Sequence, residues 1–209
     1  MLFRSETLKW LVNQGYVFDK PQCMHAAAEW GQVDTLQWLL SQGCELDEYV
    51  CFAAAQGGSL PVLRWLDSQR CHFDNRSTDA AAEFGRLEAL QWLHNKGCVI
   101  DDETCIAAAG GDFDEDNVRV LEWLVSQGCR LTQRVCYAAA RADNLDTLQW
   151  LLSHGCVLDD GVYEASATSI TGRPKIGRVF EWLVSQGYHQ IWMINRNIIF
   201  LDDGSDDDS

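Results

Sequence analysis

Two apolar signatures alternate along the chain at a nearly constant interval. One is a run of three alanines, seen in CMHAAAEWG, VCFAAAQGG, STDAAAEFG, TCIAAAGGD and VCYAAARAD. The other is a Leu-x-Trp-Leu-x-x-x-Gly core, seen in DTLQWLLSQGC, PVLRWLDSQRC, GRLEALQWLHNKGC, RVLEWLVSQGC and DTLQWLLSHGC. Weaker copies surround Trp10 and Trp182, with Phe180 in place of the leucine in the last. Successive tryptophans at 10, 38, 65, 92, 123, 150 and 182 stand 28, 27, 27, 31, 27 and 32 residues apart. A self-similar period in this range settles the fold class before any single residue is interpreted. It predicts one elongated array with two local insertions.

Each unit reads as two short helices. Alanine is the best helix former, and three in a row leave so little bulk that a neighbouring backbone can come close. Gly31, Gly58, Gly85 and Asp143 end this first helix. In the second helix, Leu87, Leu90 and Leu93 share an arc of about 120°, and Trp92 lies about 100° outside it. The resulting face is wider than a lone amphipathic helix requires. The tryptophans are therefore expected to form a ladder of contacts between units, each costing about 3–5 kcal/mol on truncation, as core aromatics do. The connectors CELDEYV, CHFDNRS and CVIDDET are acidic, and Asp47, Asp74 and Asp101 are the expected caps of the following helices.

The predicted domain spans residues 1–201: a half-repeat at 5–18, repeats at about 19–45, 46–72, 73–99, 100–130, 131–157 and 158–189, and a capping segment at 190–201. QIWMINRNIIFL, apolar at 191, 194, 198 and 201, suits a cap over Trp182, with docking of a partner as the alternative. Residues 202–209 form an acidic tail expected to be disordered. The half-repeat lacks its Ala helix, which leaves room for an upstream segment.

Gly-Arg-Leu-Glu-Ala-Leu-Gln-Trp-Leu from Gly85, followed by Gly97, resembles the second half of an ankyrin repeat, whose pattern runs Gly-His-Leu-Glu-Val-Val-x-Leu-Leu-Leu-x-x-Gly-Ala. Ala81 and Ala82 match the alanine pair of its first helix. The resemblance covers about residues 5–189. It departs from the family in lacking the Thr-Pro-Leu-His opening, echoed only by Met24 and His25. It is also about six residues short of the usual unit, and the shortfall lies where the family carries its β-hairpin finger. This short, Trp-rich form is similar to ankyrin arrays of large DNA viruses of amoebae and of some protists. The resemblance implies an all-α, ankyrin-type helical-repeat solenoid with shortened connectors and little or no β-hairpin finger.

Composition narrows the function. The chain has 47% apolar residues and nine tryptophans, which marks a folded protein. A net charge of −15 argues against binding nucleic acid and favours a protein partner with a basic or mixed surface. No segment reads as a secretion signal or membrane span, so a soluble protein of the cytoplasm or nucleus, with no membrane partner, is expected. Eight of the nine cysteines follow the repeat: Cys44, Cys71, Cys98, Cys129 and Cys156 after the Gly or its equivalent, and Cys51, Cys105 and Cys136 before the Ala run. Recurrence at one structural position implies that each faces its copy in the next unit, as a reduced thiol with a packing role.

Candidate chemistry is sparse. Cysteine pairs seven apart, such as Cys44 and Cys51, do not match the closer spacing of zinc ligands. DFDEDN at 112–117 begins like a calcium loop, but Asn117 stands where Gly is needed and Trp123 where Glu is needed. It reads as a solvated insertion, and the basic TGRPK at 171–175 as a surface loop. No nucleophile elbow or phosphate-cradling loop occurs. No catalytic residue, metal or cofactor is therefore expected.

With fingers shortened, recognition is expected on the exposed face of the first helix. Positions that vary within the fixed frame are Glu29 and Trp30, Glu83 and Phe84, and Arg141 after the run, with His25, Phe52, Asp79 and Tyr137 before it. Trp30, Phe84 and Tyr137 lead, since aromatics dominate interface hot spots. The expected function is a non-catalytic protein-interaction scaffold, such as a host-factor binder or substrate adaptor. The alternatives are an acidic nucleic-acid mimic that occupies a DNA-binding protein and, least favoured, an enzyme with a site on 112–117 or 171–175. The oligomeric state is not legible.

Overall fold

The computed structural model describes residues 5–111, 114–167 and 177–188, and the side chains of residues 5, 114 and 115 are not described. The proposed capping segment, the acidic tail and TGRPK lie outside these residues. The described residues form thirteen α-helices and no strand. After α1 (Ser5–Asn13) they come in pairs: α2 (Lys20–Glu29) and α3 (Val33–Ser41); α4 (Glu48–Gly57) and α5 (Leu60–Ser68); α6 (Asn75–Glu83) and α7 (Leu87–Asn95). The later pairs are α8 (Asp102–Gly110) and α9 (Asp114–Ser126), α10 (Gln133–Ala142) and α11 (Leu145–Ser153), and α12 (Asp160–Ala167) and α13 (Arg178–Ser185).

First helices stack on first helices, α2 on α4 on α6 on α8 on α10 on α12, and this layer is packed more extensively than the layer of second helices. Ala54, Ala55, Ala81, Ala82, Ala108 and Ala109 are fully excluded from solvent. The absence of side-chain bulk is what lets these helices approach.

Caps set the helix ends. Asp47 accepts from the Val50 amide, Asp74 from the Arg76 amide, and Asp101 from the amides of Glu103 and Thr104 in a capping box. Asp19 does the same for α2, through the Gln22 amide. Second helices other than α7 close on a serine: the hydroxyls of Ser41, Ser126, Ser153 and Ser185 donate to the tryptophan carbonyl three residues back at 2.6–2.7 Å. A left-handed residue then turns the chain. Gly43, Gly97, Gly128 and Gly155 fill that place, but Arg70 holds it in the second full unit at φ 62°.

The tryptophans are not the deepest layer. Leu36, Leu39, Leu63, Leu66, Leu90 and Leu93 are fully buried, while Trp38, Trp65, Trp92 and Trp123 are half-buried at the edge of the core. The expected ladder holds at Trp123, which meets His94 of the preceding unit edge-on at 5.7 Å. Trp38 likewise meets Phe18 of the preceding half-repeat at 6.1 Å, whereas Trp92 leans on Phe73, a connector residue of its own unit, at 5.5 Å. Because part of each tryptophan ring stays in water, the cost of about 3–5 kcal/mol on truncation is now expected of the sealed leucines.

The cysteines also differ from expectation. They do not face copies of themselves in the next unit. Cys51 is bonded to Cys71 and Cys136 to Cys156, each pair 20 residues apart within one unit. Cys23, Cys44, Cys98, Cys105 and Cys129 are free thiols. The reason is geometric: the first helix and the turn after the second lie side by side in one unit.

The insertion is not a solvated loop throughout. From Asp114 it is the start of α9, and Asn117 is fully buried against Gly85 and Gly111. Its counterpart one unit on, Asn144, donates to the Gly111 carbonyl at 3.0 Å and caps α11.

Candidate partner-binding face

Residues after the Ala run gather along the C-terminal ends of the first helices. Trp30 ends α2 with 68% of its surface exposed. Across from it, Phe84 ends α6 and is half-buried. Between them α4 ends in Gly57 and Gly58. A Cβ on Gly57 would lie 1.9 Å from the Glu29 carbonyl oxygen, and one on Gly58 would meet the Arg86 stem at 2.7 Å. Glycine is therefore required for the two neighbouring units to close over this end. The Arg86 guanidinium is held there by its Nε, which donates to the Gln56 carbonyl at 3.1 Å.

The result is an open groove of about 570 Å³ with a backbone floor at Gly57, walled by Trp30 and Phe84, with Glu29, Gln56 and Arg86 on its rim. A second groove, of about 550 Å³, crosses α8, α10 and α12 and is lined by Ile106, Gly110, Tyr137, Arg141, Ala142 and Ala165. Its wall is fixed by Tyr137, whose hydroxyl donates to Asp159 at 2.8 Å and whose ring lies where any side chain on Gly161 would stand. The bond to Asp159 pushes the Tyr137 phenol above its ordinary range.

Of the nine positions singled out in the sequence, Glu29, Trp30 and Phe84 meet at the first groove, and Tyr137 and Arg141 at the second. Glu83 is exposed at the end of α6 without lining either, and Phe52 packs on the core. Three of the residues before the Ala run hold units together. His25 Nε2 lies 3.1 Å from both carboxylate oxygens of Asp47, Thr104 donates to Asp79 at 2.8 Å, and Tyr137 reaches Asp159. Burial pushes the Asp79 carboxyl up from its ordinary range, with the charges of Asp101 and Glu103 adding to it and the Thr104 bond opposing it.

Sequence reasoning missed the glycine floor and Arg86. A signal was present: the second residue after the run alternates, Trp30, Gly57, Phe84, Gly111, so aromatic walls and glycine floors come in turn.

The connector acids are tied into the array as well. Arg76 pairs with Glu48 of the preceding unit at 2.6 Å and with Asp74, and Arg134 pairs with Glu103 at 2.7 Å. The Arg76 hydrogen bond pulls the Glu48 carboxyl below its ordinary range. No group of three or more His, Cys, Asp or Glu side chains placed to hold a metal ion occurs among the described residues, and none of their helices is long and apolar enough to cross a membrane.

The comparisons with known proteins agree with this geometry. The ankyrin-repeat family model matches residues 23–49, the unit that carries His25, Trp30 and Trp38. The crystal structure of the human ASB11 ankyrin repeat domain superimposes on 88% of the chain and 93% of its own length, with a TM-score of 0.54 at 18% sequence identity. No curated protein sequence matches the chain. With helices paired along the described residues, a family match on one unit and a superposition along most of its length, the chain has the all-α repeat-solenoid fold of an ankyrin repeat domain.

Proposed function

We propose that the chain is a non-catalytic scaffold that binds a protein partner along the ends of its first helices, with the Trp30–Gly57–Phe84 groove as the anchor. The observation that carries the reading is Trp30. A large aromatic left two-thirds bare at the mouth of a glycine-floored groove forgoes burial worth a few kcal/mol, and a partner side chain would recover it. Repeat arrays use such extended surfaces for binding. The net charge of −15 favours a basic or mixed partner surface. A substrate adaptor or a host-factor binder would use the face in the same way, by holding the partner in a fixed position.

The nucleic-acid mimic is less favoured, because Asp47, Asp74 and Asp101 are engaged as caps and Glu48 and Glu103 in ion pairs. Such carboxylates do not form a free double row. An enzyme is less favoured still, since Arg86, Arg134 and Tyr137 beside the grooves are engaged in bonds between units.

Proteins captured from a cell lysate by the parent chain and by a Trp30→Ala/Phe84→Ala chain test the reading, with a Val99→Ser chain as a control away from the grooves. The double variant should melt within a few degrees of the parent and lose captured partners that the control retains. Equal capture by all three chains would remove the assignment.

A further inference from the structure

The repeat offers a cysteine at two places in a unit: two residues before the first alanine of the run, and directly after the left-handed turn. Where both are filled by Cys51 and Cys71, or by Cys136 and Cys156, the structure bonds them, with Cα atoms 6.7 Å apart. This is within the separation a disulfide spans. Cys105 and Cys129 occupy the same two places in the intervening unit, and both are free. The insertion between α8 and α9 lengthens the path between them but leaves both ends in register. Cys105 is fully buried in α8, and Cys129 is half-buried after Gly128, its Sγ 3.8 Å from the carbonyl oxygen of Asp101, the residue that caps α8. In the third full unit the first place belongs to Thr78, whose hydroxyl donates to the carbonyls of Asn75 and Val99, so Cys98 has no counterpart there.

We propose that Cys105 and Cys129 are a third oxidisable dithiol, at which a small-molecule disulfide such as oxidised glutathione closes a bond in register with the other two. Cys129 is the thiol that solvent reaches. Its exposure makes Cys129 the attacking thiolate, and the sealed Cys105 is the resolving thiol. The Cys129 thiolate attacks one sulfur of the glutathione disulfide, forming a mixed disulfide and expelling one glutathione thiolate. Cys105 then gives its proton to solvent and attacks the Cys129 sulfur, expelling the second. The protein loses two electrons and two protons, and one oxidised glutathione becomes two reduced ones.

The test starts from the fully reduced full-length chain, exposed to oxidised glutathione, quenched, alkylated under denaturing conditions and mapped by mass spectrometry. Cleavage after Arg119 separates the two cysteines. Their peptides should appear joined and unalkylated, about 2 Da lighter than the sum of the free pair for the hydrogens lost. Cys98 should not enter an internal disulfide. Cys105→Ser should stall Cys129 at the mixed disulfide, one glutathionyl mass heavier, and Cys129→Ser should leave Cys105 reduced. The proposal is overturned if Cys105 and Cys129 stay alkylatable while the Cys51–Cys71 and Cys136–Cys156 pairs close. It is equally overturned if Cys105 is found bonded to another cysteine, or still oxidised in the Cys129→Ser chain.

Discussion

The first and second helices of each unit meet the same packing demand by opposite means. The first-helix layer packs by absence: alanines at 53–55 and 80–82 leave backbones free to approach, and glycine at 57 and 111 lets the end of one helix settle on the next. The second-helix layer packs by volume, with pairs of leucines sealed from solvent and tryptophans closing the edge. One layer should therefore fail when atoms are added and the other when they are removed. Because the alanine layer needs nothing from its outward side chains, those positions are available for hydrogen bonds between units or for a partner.

The largest effect is expected from the leucine stripe. Leu90→Ala should destabilise by about 3–5 kcal/mol in chemical denaturation, the loss of a wholly buried leucine with little room to collapse. Addition to the other layer comes next: Ala81→Leu should cost about 3 kcal/mol, the upper end for overpacking, since Ala81 is sealed between neighbouring first helices. If Ala81→Leu is tolerated at less than the cost of a surface change, the contrast between the layers is lost. Trp92→Ala should cost less than Leu90→Ala, about 2 kcal/mol, because part of the ring is already in water and Phe73 can settle into the space. The reverse order of the two would restore the tryptophans as the primary seam.

Two smaller changes act at the joints between layers. Arg70 holds a left-handed backbone at φ 62° where the other units have glycine, so Arg70→Gly should gain about 1 kcal/mol, read as a higher melting temperature. Asp79 gives a pH test. Its pKa is raised in the folded chain, so the native state binds more protons than the unfolded one, and stability falls as pH rises from about 4 through the folded pKa. Asp79→Asn keeps an oxygen for Thr104 and removes that charge. It should match the parent at low pH and exceed it at neutral pH by under about 1 kcal/mol, given solvent screening. A variant less stable than its parent at neutral pH would mean that the Thr104 bond to a full carboxylate outweighs the burial.

Much of this architecture is legible in the chain. The helix pairs follow from the Ala run and the Leu-x-Trp-Leu core, and the caps Asp47, Asp74 and Asp101 from an acid just ahead of each run. The site is less legible. That Trp30 and Phe84 face a common groove depends on the glycine at 57, which periodicity treats as a weak helix end. That His25, Asp79 and Tyr137 bind across to the next unit depends on which cap or first-turn residue the stacking brings opposite them. The cysteine pairs show the same limit: a recurring position was visible, but its partner lay 20 residues away in the same unit and not in the next copy.

The sequence by itself determined the repeat, the helices, the stops between them and the apolar faces, because these rest on local periodicity and on backbone preferences of alanine, glycine and aspartate. Only the tertiary structure decided depth and neighbours: leucine inside and tryptophan at the edge, thiol against thiol, and a bare tryptophan across a glycine floor from a phenylalanine two units on. Those outcomes depend on how closely one unit settles on the next, and that distance is set by the packing of the whole array.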